Sequence, residues 1–209
     1  MTPKILKSLS LFAIFAFIAP LLSGCYAPVR FDAEIEISRR GYYTMIFDGY
    51  LADIGLYSGL REGKITGAQE RAKVKLIKND LIGRDPDVKE FKYFNKGVFK
   101  VHWEKKGDLL KAKMVTFLRR NEKFLTVKYL KKKGLAVMMG ASVSKTNAKR
   151  LTGIGLNIQG EIRVITDLRV VEHNATKVKG DVKGRGEKTF TWKIKSLYDP
   201  TPNLVLVLR

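Results

Sequence analysis

Strict period-two alternation is the feature that most constrains this chain. Val29, Phe31, Ala33, Ile35 and Ile37 are apolar, and Arg30, Asp32, Glu34 and Glu36 lie between them. A strand turns successive side chains to opposite faces, so this run makes a strand with one buried face. Arg39-Arg40-Gly41 can turn the chain, and Tyr42 to Asp48 supplies a β-prone second strand, giving an N-terminal hairpin. The alternation returns in a central meander. Phe99, Val101 and Trp103 alternate with Lys100, His102 and Glu104; Leu110, Ala112, Met114, Thr116 and Leu118 share a face; and Leu125, Val127 and Tyr129 share another. Turns are expected at Lys105-Lys106-Gly107-Asp108, at 119–123 and at Lys131-Lys132-Lys133-Gly134. Ile162, Val164 and Thr166, then Phe190, Trp192 and Ile194, then Leu204 to Leu208, read as C-terminal strands.

Between hairpin and meander the period lengthens. Tyr50, Ile54, Tyr57 and Leu60 fall on one helical face, although Gly55 and Gly59 weaken it. Thr66 with Gln69 three positions on has the form of a capping box, and Glu70, Val74, Ile77 and Leu81 form the stripe behind it. Gly83-Arg84-Asp85-Pro86-Asp87 ends that helix. The glycine-rich stretch 135–160 is harder to read. Its apolar run Leu135 to Met139 is either a buried strand, which is favoured, or an exposed loop beside the triple lysine. The expected fold class is therefore α+β, an antiparallel β-sheet partly covered by two helices.

The N-terminus has a different character. Lys4 and Lys7 precede twelve uncharged residues, Leu11 to Leu22. At about 1.5 Å rise per residue these reach about 18 Å, short of the roughly 30 Å needed to span a bilayer, which suits an export signal. The next tetrad, Leu22-Ser23-Gly24-Cys25, resembles the lipobox of bacterial lipoproteins. That resemblance implies cleavage after Gly24, diacylglycerol on the Cys25 thiol and a palmitate-type acylated N-terminus. The expected division is a signal peptide over 1–24, an anchor and short tether over 25–28, and one periplasmic or extracytoplasmic domain over 29–209. Tyr26 stands where an Asp would favour inner-membrane retention in enteric bacteria, so in a Gram-negative cell the outer membrane is favoured.

Cys25 is the only cysteine, so no disulfide can form within the chain and stability must come from an apolar core. With 45% hydrophobic residues the chain can supply one. Removing Lys4 and Lys7 from 40 basic residues leaves 38 against 20 acidic, a net +18 for residues 25–209. In a cytosolic chain this would suggest nucleic acid. Export argues against that and points to anionic lipid, glycolipid or other envelope polymer. The charge concentrates in 89–133, where fifteen Lys or Arg face four acidic residues. The candidate contacts to an anionic surface are Lys100, Lys105, Lys106, Lys111, Lys113, Arg119, Arg120, Lys131, Lys132 and Lys133. The competing explanation is that lysines on strand faces and edges keep a β-rich protein soluble.

No catalytic, cofactor or metal motif survives inspection. His102 sits on the polar side of a strand, and His173 lies in an expected turn, with no second His or cysteine to complete a metal site. Gly180 to Thr189 superficially resembles a phosphate-binding loop, but Glu187 interrupts it and a strand follows where a helix is needed. Glu34 and Glu36 share a solvent face without an apolar pocket. Asp85-Pro86-Asp87 and Asp199-Pro200 read as turns. Leu204 to Leu208 is too short to span a bilayer and is expected to complete a sheet.

The order of hairpin, helical pair, meander and late strand at Thr189 to Trp192 resembles the LppM-type envelope lipoproteins. That resemblance implies an α+β domain held outside the cytoplasmic membrane, affinity for glycolipids and no catalytic residues. The expectation is a non-enzymatic, membrane-anchored envelope lipoprotein that binds lipid, glycolipid or anionic polymer. The alternative is a structural or assembly partner of another envelope protein.

Overall fold

The computed structural model of the protein describes residues 26–117, 124–181, 184 and 186–208. Strands β1 (Tyr26–Ile37) and β2 (Tyr42–Asp53) form the expected hairpin, pairing Ile37 with Tyr43 near the turn and Tyr26 with Asp53 at the open end. Gly41 closes the turn at φ 83°, its N–H donating to Ser38 O at 2.8 Å. Phe31, Ala33, Ile35 and Ile37 are buried as the alternation requires, but Val29 leaves their face. A register shift between Pro28 and Arg30 inserts a bulge there, so Ala27 is buried instead. Proline has no N–H for a ladder, and a bulge is where a strand tolerates it.

The hairpin is followed by α1 (Ile54–Arg61), capped by Asp53, whose carboxylate accepts from Leu56 N–H at 2.8 Å. Tyr50, expected on this helix, remains in β2. Helix α2 (Gly67–Arg84) begins with the capping box of Thr66 and Gln69, and Leu81 is its fully buried contact with the core. Asp85 then accepts from Trp103 Nε1 at 3.1 Å, which pairs a buried indole with a buried carboxylate.

Strands β3 (Val88–Asn95) and β4 (Val98–Asp108) extend the first sheet. The turn expected at Lys105 to Asp108 is instead the end of β4. Gly107 is there for close approach, since a Cβ on it would lie 2.7 Å from Tyr43 Oη. The strand expected from Leu110 is split. Asp108 caps a short helix α3 (Leu109–Ala112) by accepting from Leu110 N–H at 2.8 Å, and β5 (Met114–Thr116) follows. Strand β6 (Leu125–Leu130), a 3₁₀ turn (Lys131–Lys133) and β7 (Leu135–Gly140) make a second hairpin. Ala136 and Met138 face inward, so the apolar run is a buried strand.

Helix α4 (Lys145–Gly153) lies within the stretch that resisted reading; Ser144 caps it by accepting from Asn147 N–H at 3.2 Å. The remaining strands are β8 (Gln159–Thr166), β9 (Arg169–His173), β10 (Lys177–Lys179), β11 (Lys188–Ile194) and β12 (Asn203–Val207).

The class is α+β, with two sheets and four α-helices among the described residues. The first sheet runs β10-β11-β8-β1-β2-β4-β3, and the second β5-β6-β7-β12-β9. All pairings are antiparallel except β1 with β8, which lie parallel from Arg30 opposite Gln159 to Ile37 opposite Thr166. The closing apolar segment lies inside the second sheet, between β7 and β9. One apolar cluster joins both sheets. Its aromatic centre includes Phe117, 5.4 Å from Trp103 and 6.1 Å from Phe47, and Phe124, 5.2 Å from Phe31.

Candidate functional site

The registers sort the strands into two ends. Tyr26, Asp53, Val98, Gln159 and Gly140 lie at one end, and Ile37, Tyr43, Asp108, Thr166 and Leu135 at the other. At the first end the sheets leave an apolar cavity of about 560 Å³. That volume falls within the roughly 300–1,000 Å³ of small-molecule sites. The first described residues, Tyr26 to Pro28, form part of its wall. Phe124, Ile162, Ile194 and Leu197 line it, and the segment 196–202 runs along its rim.

Two glycines shape the cavity. Gly160 lies directly opposite Phe31 in the parallel pair, and a Cβ on it would come within 2.5 Å of the Phe31 ring. Glycine here leaves room for the Phe31 ring, which lines the cavity. At the rim, a Cβ on Gly140 would meet Pro202 Cδ at 2.9 Å.

The polar side chains that line the cavity include Lys145 and Asp199 with Ser196, beside the hydroxyls of Tyr26, Tyr198 and Thr201. Asp199 accepts from Lys195 N–H at 2.6 Å, Ser196 N–H at 3.2 Å and Ser196 Oγ–H at 3.0 Å. These bonds, the Lys195 N–H first among them, hold its carboxyl below the usual aspartate range. Asp199 therefore fixes the rim loop. Lys145, at the first turn of α4, is the cation among the described lining residues and has no ion pair among the described residues. A greasy wall with a single cation at its mouth suits an acyl chain ending in an anionic group.

The cations expected to meet an anionic surface divide into two groups. On the solvent face of the first sheet, Lys100 lies 3.3 Å from Glu90 and Lys106 2.8 Å from Glu104. Lys106 is held above the ordinary lysine range by its bond to Glu104. The solvent face also carries Arg163 bonded to Glu34 at 3.1 Å, Glu161 at 2.9 Å and Asp32 at 3.4 Å. This face is a lattice of alternating signs. Lys105 projects from the other, Trp103 side of β4, its Nζ 5.9 Å from that ring and 2.6 Å from Asp87. Its partial burial works against its charge, but the bond to Asp87 outweighs this and raises it. Lys111, Lys113, Lys131, Lys132 and Lys133 are exposed at the opposite end from the cavity, without an ion pair among the described residues. Arg119 and Arg120 lie outside the described residues, as do Cys25 and the Leu22-Ser23-Gly24 motif.

His102 Nδ1 is 3.2 Å from Asp48 Oδ2, on an exposed face where both groups are open to solvent. His173 ends β9, where Nδ1 accepts from Ala175 N–H at 3.2 Å and the ring packs 5.0 Å from Phe190. Neither His is buried beside a carboxylate. Among the described residues, no cluster of three or more His, Cys, Asp or Glu could hold a metal, and no helix is long and apolar enough to cross a membrane.

Sequence reasoning missed the cavity. Its wall comes from β1, β8 and β11, from Phe124 and from the 196–202 loop, which only the fold brings together. The helix-capping Ser144 and the glycine opposite Phe31 were the available signals.

No family model matches the sequence, and no curated protein does. The folded domain of LppM from Mycobacterium tuberculosis, solved by NMR, is similar over 88% of this chain and 91% of its own, at 13% identity and a TM-score of 0.39. It carries the same designation as the envelope lipoproteins that the order of elements resembles. A likeness this weak transfers no residue, ligand or location.

Proposed function

We propose that this protein is a non-enzymatic envelope lipoprotein, anchored through Cys25, that takes the acyl chain of a lipid or glycolipid into the cavity beside its anchor. The observation that carries this reading is the apolar cavity of about 560 Å³ whose wall begins at Tyr26. Cys25 is one peptide bond away, so an acylated N-terminus lies about 4 Å from the first lining residue. The cavity mouth then sits at the leaflet that supplies its ligand. Each methylene moved from water into the cavity contributes about 0.8 kcal/mol, so a long chain binds without polar contacts along its length. Lys145 is placed to meet the anionic end.

In a Gram-negative envelope, Tyr26 after the acylated cysteine favours the outer membrane over the inner. The direct test of the anchor is palmitate labelling in cells. Labelling of the native chain and its loss in Cys25→Ser support the anchor, and equal labelling of both refutes it.

The cavity is tested with cis-parinaric acid on residues 26–209. The expected result is saturable emission enhancement, displaced by palmitate and lost in Ala141→Trp, where a bulky ring at an exposed lining position fills the groove. Unsaturable emission, or equal binding by the tryptophan variant, would refute the cavity as the site.

A further inference from the structure

The lysines at the end opposite the cavity form a coherent pole. Backbone bonds tie its parts together: Leu109 N–H donates to Gly41 O at 2.9 Å, Tyr129 N–H to Lys113 O at 2.8 Å, and Leu208 N–H to Gly134 O at 2.9 Å. The tip of the β6–β7 hairpin therefore adjoins α3 and the β1–β2 turn. Lys128 faces Met114 across the β5–β6 pair and is exposed. Six exposed lysines thus share one region: Lys111, Lys113, Lys128, Lys131, Lys132 and Lys133.

Nothing nearby neutralises them among the described residues. Residues 109–117 and 124–160 contain no Asp or Glu at all. Asp108, the acid next to α3, has its carboxylate on Leu110 N–H as the helix cap. Lys113 also occupies a left-handed conformation, φ 61°, at the end of α3, where glycine is the ordinary choice. A cation stands where the backbone alone would favour no side chain.

The position of this pole matters as much as its charge. Along β1, eleven steps of about 3.3 Å separate Tyr26 from Ile37 by roughly 36 Å, and the cavity wall begins at Tyr26. That the pole faces away from the holding membrane rests on the anchorage proposed above. The contact is not a greasy one either. Among the described residues, α3, β5, β6 and the 3₁₀ turn expose no large apolar side chain, and Tyr42 is the exposed aromatic at the adjoining turn. Membrane insertion normally needs several such groups.

We propose that this pole docks on a polyanionic envelope polymer, phosphate- or carboxylate-bearing, lying away from the anchoring leaflet. The protein then has two working ends, an apolar one at its membrane and an electrostatic one facing a second layer.

The test uses the full chain in neutral phosphatidylcholine vesicles and, in parallel, in detergent micelles. Each is titrated with labelled inorganic polyphosphate and labelled poly-glutamate at low salt. Saturable capture of either polymer in both settings is expected, and which polymer binds identifies the anionic group. The triple variant Lys131→Gln/Lys132→Gln/Lys133→Gln is expected to weaken capture about tenfold. Lys92→Gln/Lys100→Gln/Lys106→Gln removes the same formal charge from the paired face and is expected to change it less than about twofold. Equal loss in both triples, no capture, capture in micelles that vanishes on vesicles, or preference for phosphatidylglycerol vesicles over both polymers would each overturn the proposal. Failure of the chain to stay on vesicles would count against the anchor alone, because the micelle arm still reads the pole.

Discussion

The two ends of the β1–β2 hairpin are built from the same strands and solve opposite problems. At the open end, the apolar face of the sheet runs past the last strand pairs and lines a cavity. At the turn end, the apolar face is sealed by α3, whose Leu109 is fully buried, and the surface outside carries lysines that have no ion pair among the described residues. Charge density in the sequence does not distinguish a lattice of ion pairs from a bare cationic pole. Lys100 and Lys106 sit among Glu90 and Glu104 on neighbouring strand positions, whereas Lys131 to Lys133 sit on a turn with no acid in register. Register, rather than composition, decides which lysines are available.

The largest expected effect is at the cavity end. Gly160→Val places a side chain where a Cβ meets the Phe31 ring and its carbonyl oxygen, each within 2.5 Å. The expected cost is at least about 2–3 kcal/mol, read as a fall in the thermal midpoint. The displaced ring should also reduce parinaric acid binding. An unchanged midpoint and unchanged binding would break the view that Gly160 makes room for the Phe31 ring at the cavity.

At the pole, the matching glycine test should cost less. Gly134, at φ 62°, closes the lysine tip. Gly134→Ala is expected to destabilise by about 1 kcal/mol, measured by urea unfolding, because alanine is penalised at this positive φ. Cavity binding should be unaffected, since the two ends are separated by the length of the hairpins. A loss of binding here would show that the ends are coupled.

Between the ends lies the charged face, where the expected effect is smaller again. Arg163→Met removes three ion pairs, with Asp32, Glu34 and Glu161. These groups are partly exposed, and such pairs are worth about 0–1 kcal/mol each with large discounts for screening. We expect less than about 1 kcal/mol in urea unfolding at 150 mM salt. A larger loss would mean that the lattice is a structural element comparable to the core.

Much of the fold was legible in the sequence, for reasons that particular residues make plain. Phe31 to Ile37 alternate over a half-buried strand, and Thr66 with Gln69 writes a helix start. Both signals are local. The failures are also physical. Gly107 reads as a turn glycine, but its lack of a side chain serves the close approach of Tyr43. Leu110 and Ala112 keep a strand-like spacing, yet Asp108 captures the Leu110 N–H and starts a helix. The parallel β1–β8 pair joins residues more than a hundred positions apart, such as Phe31 opposite Gly160, and the second sheet needs β12 to return to β7, as Asn203 does opposite Met139. The pole was half legible. Five of its six lysines are among the cations that the sequence singles out, Lys128 being the exception, but their separation from Lys100, Lys105 and Lys106 requires the register.

The smallest expected effect concerns the rim loop and pH. Asp199 is held below its ordinary value of 3.8 by the Lys195 N–H and the Ser196 groups. A carboxyl depressed in the folded state stabilises it above the unfolded value, and that stabilisation is lost as pH falls through the lower, folded value. The rim bonds should therefore be intact at pH 5 and above and loosen only below about pH 4, the unfolded aspartate range. Because Asp199 is only partly buried and its bonds stay within the rim loop, the change is local, and the expected readout is Tyr198 solvent exposure or parinaric acid affinity, with the global midpoint nearly unmoved. Asp199→Asn should remove the part of the acid dependence that is seen at the cavity while leaving polymer capture at the lysine pole unchanged. If capture at the pole follows the Asp199 titration, the two ends are not independent, and the comparison between them must be redrawn.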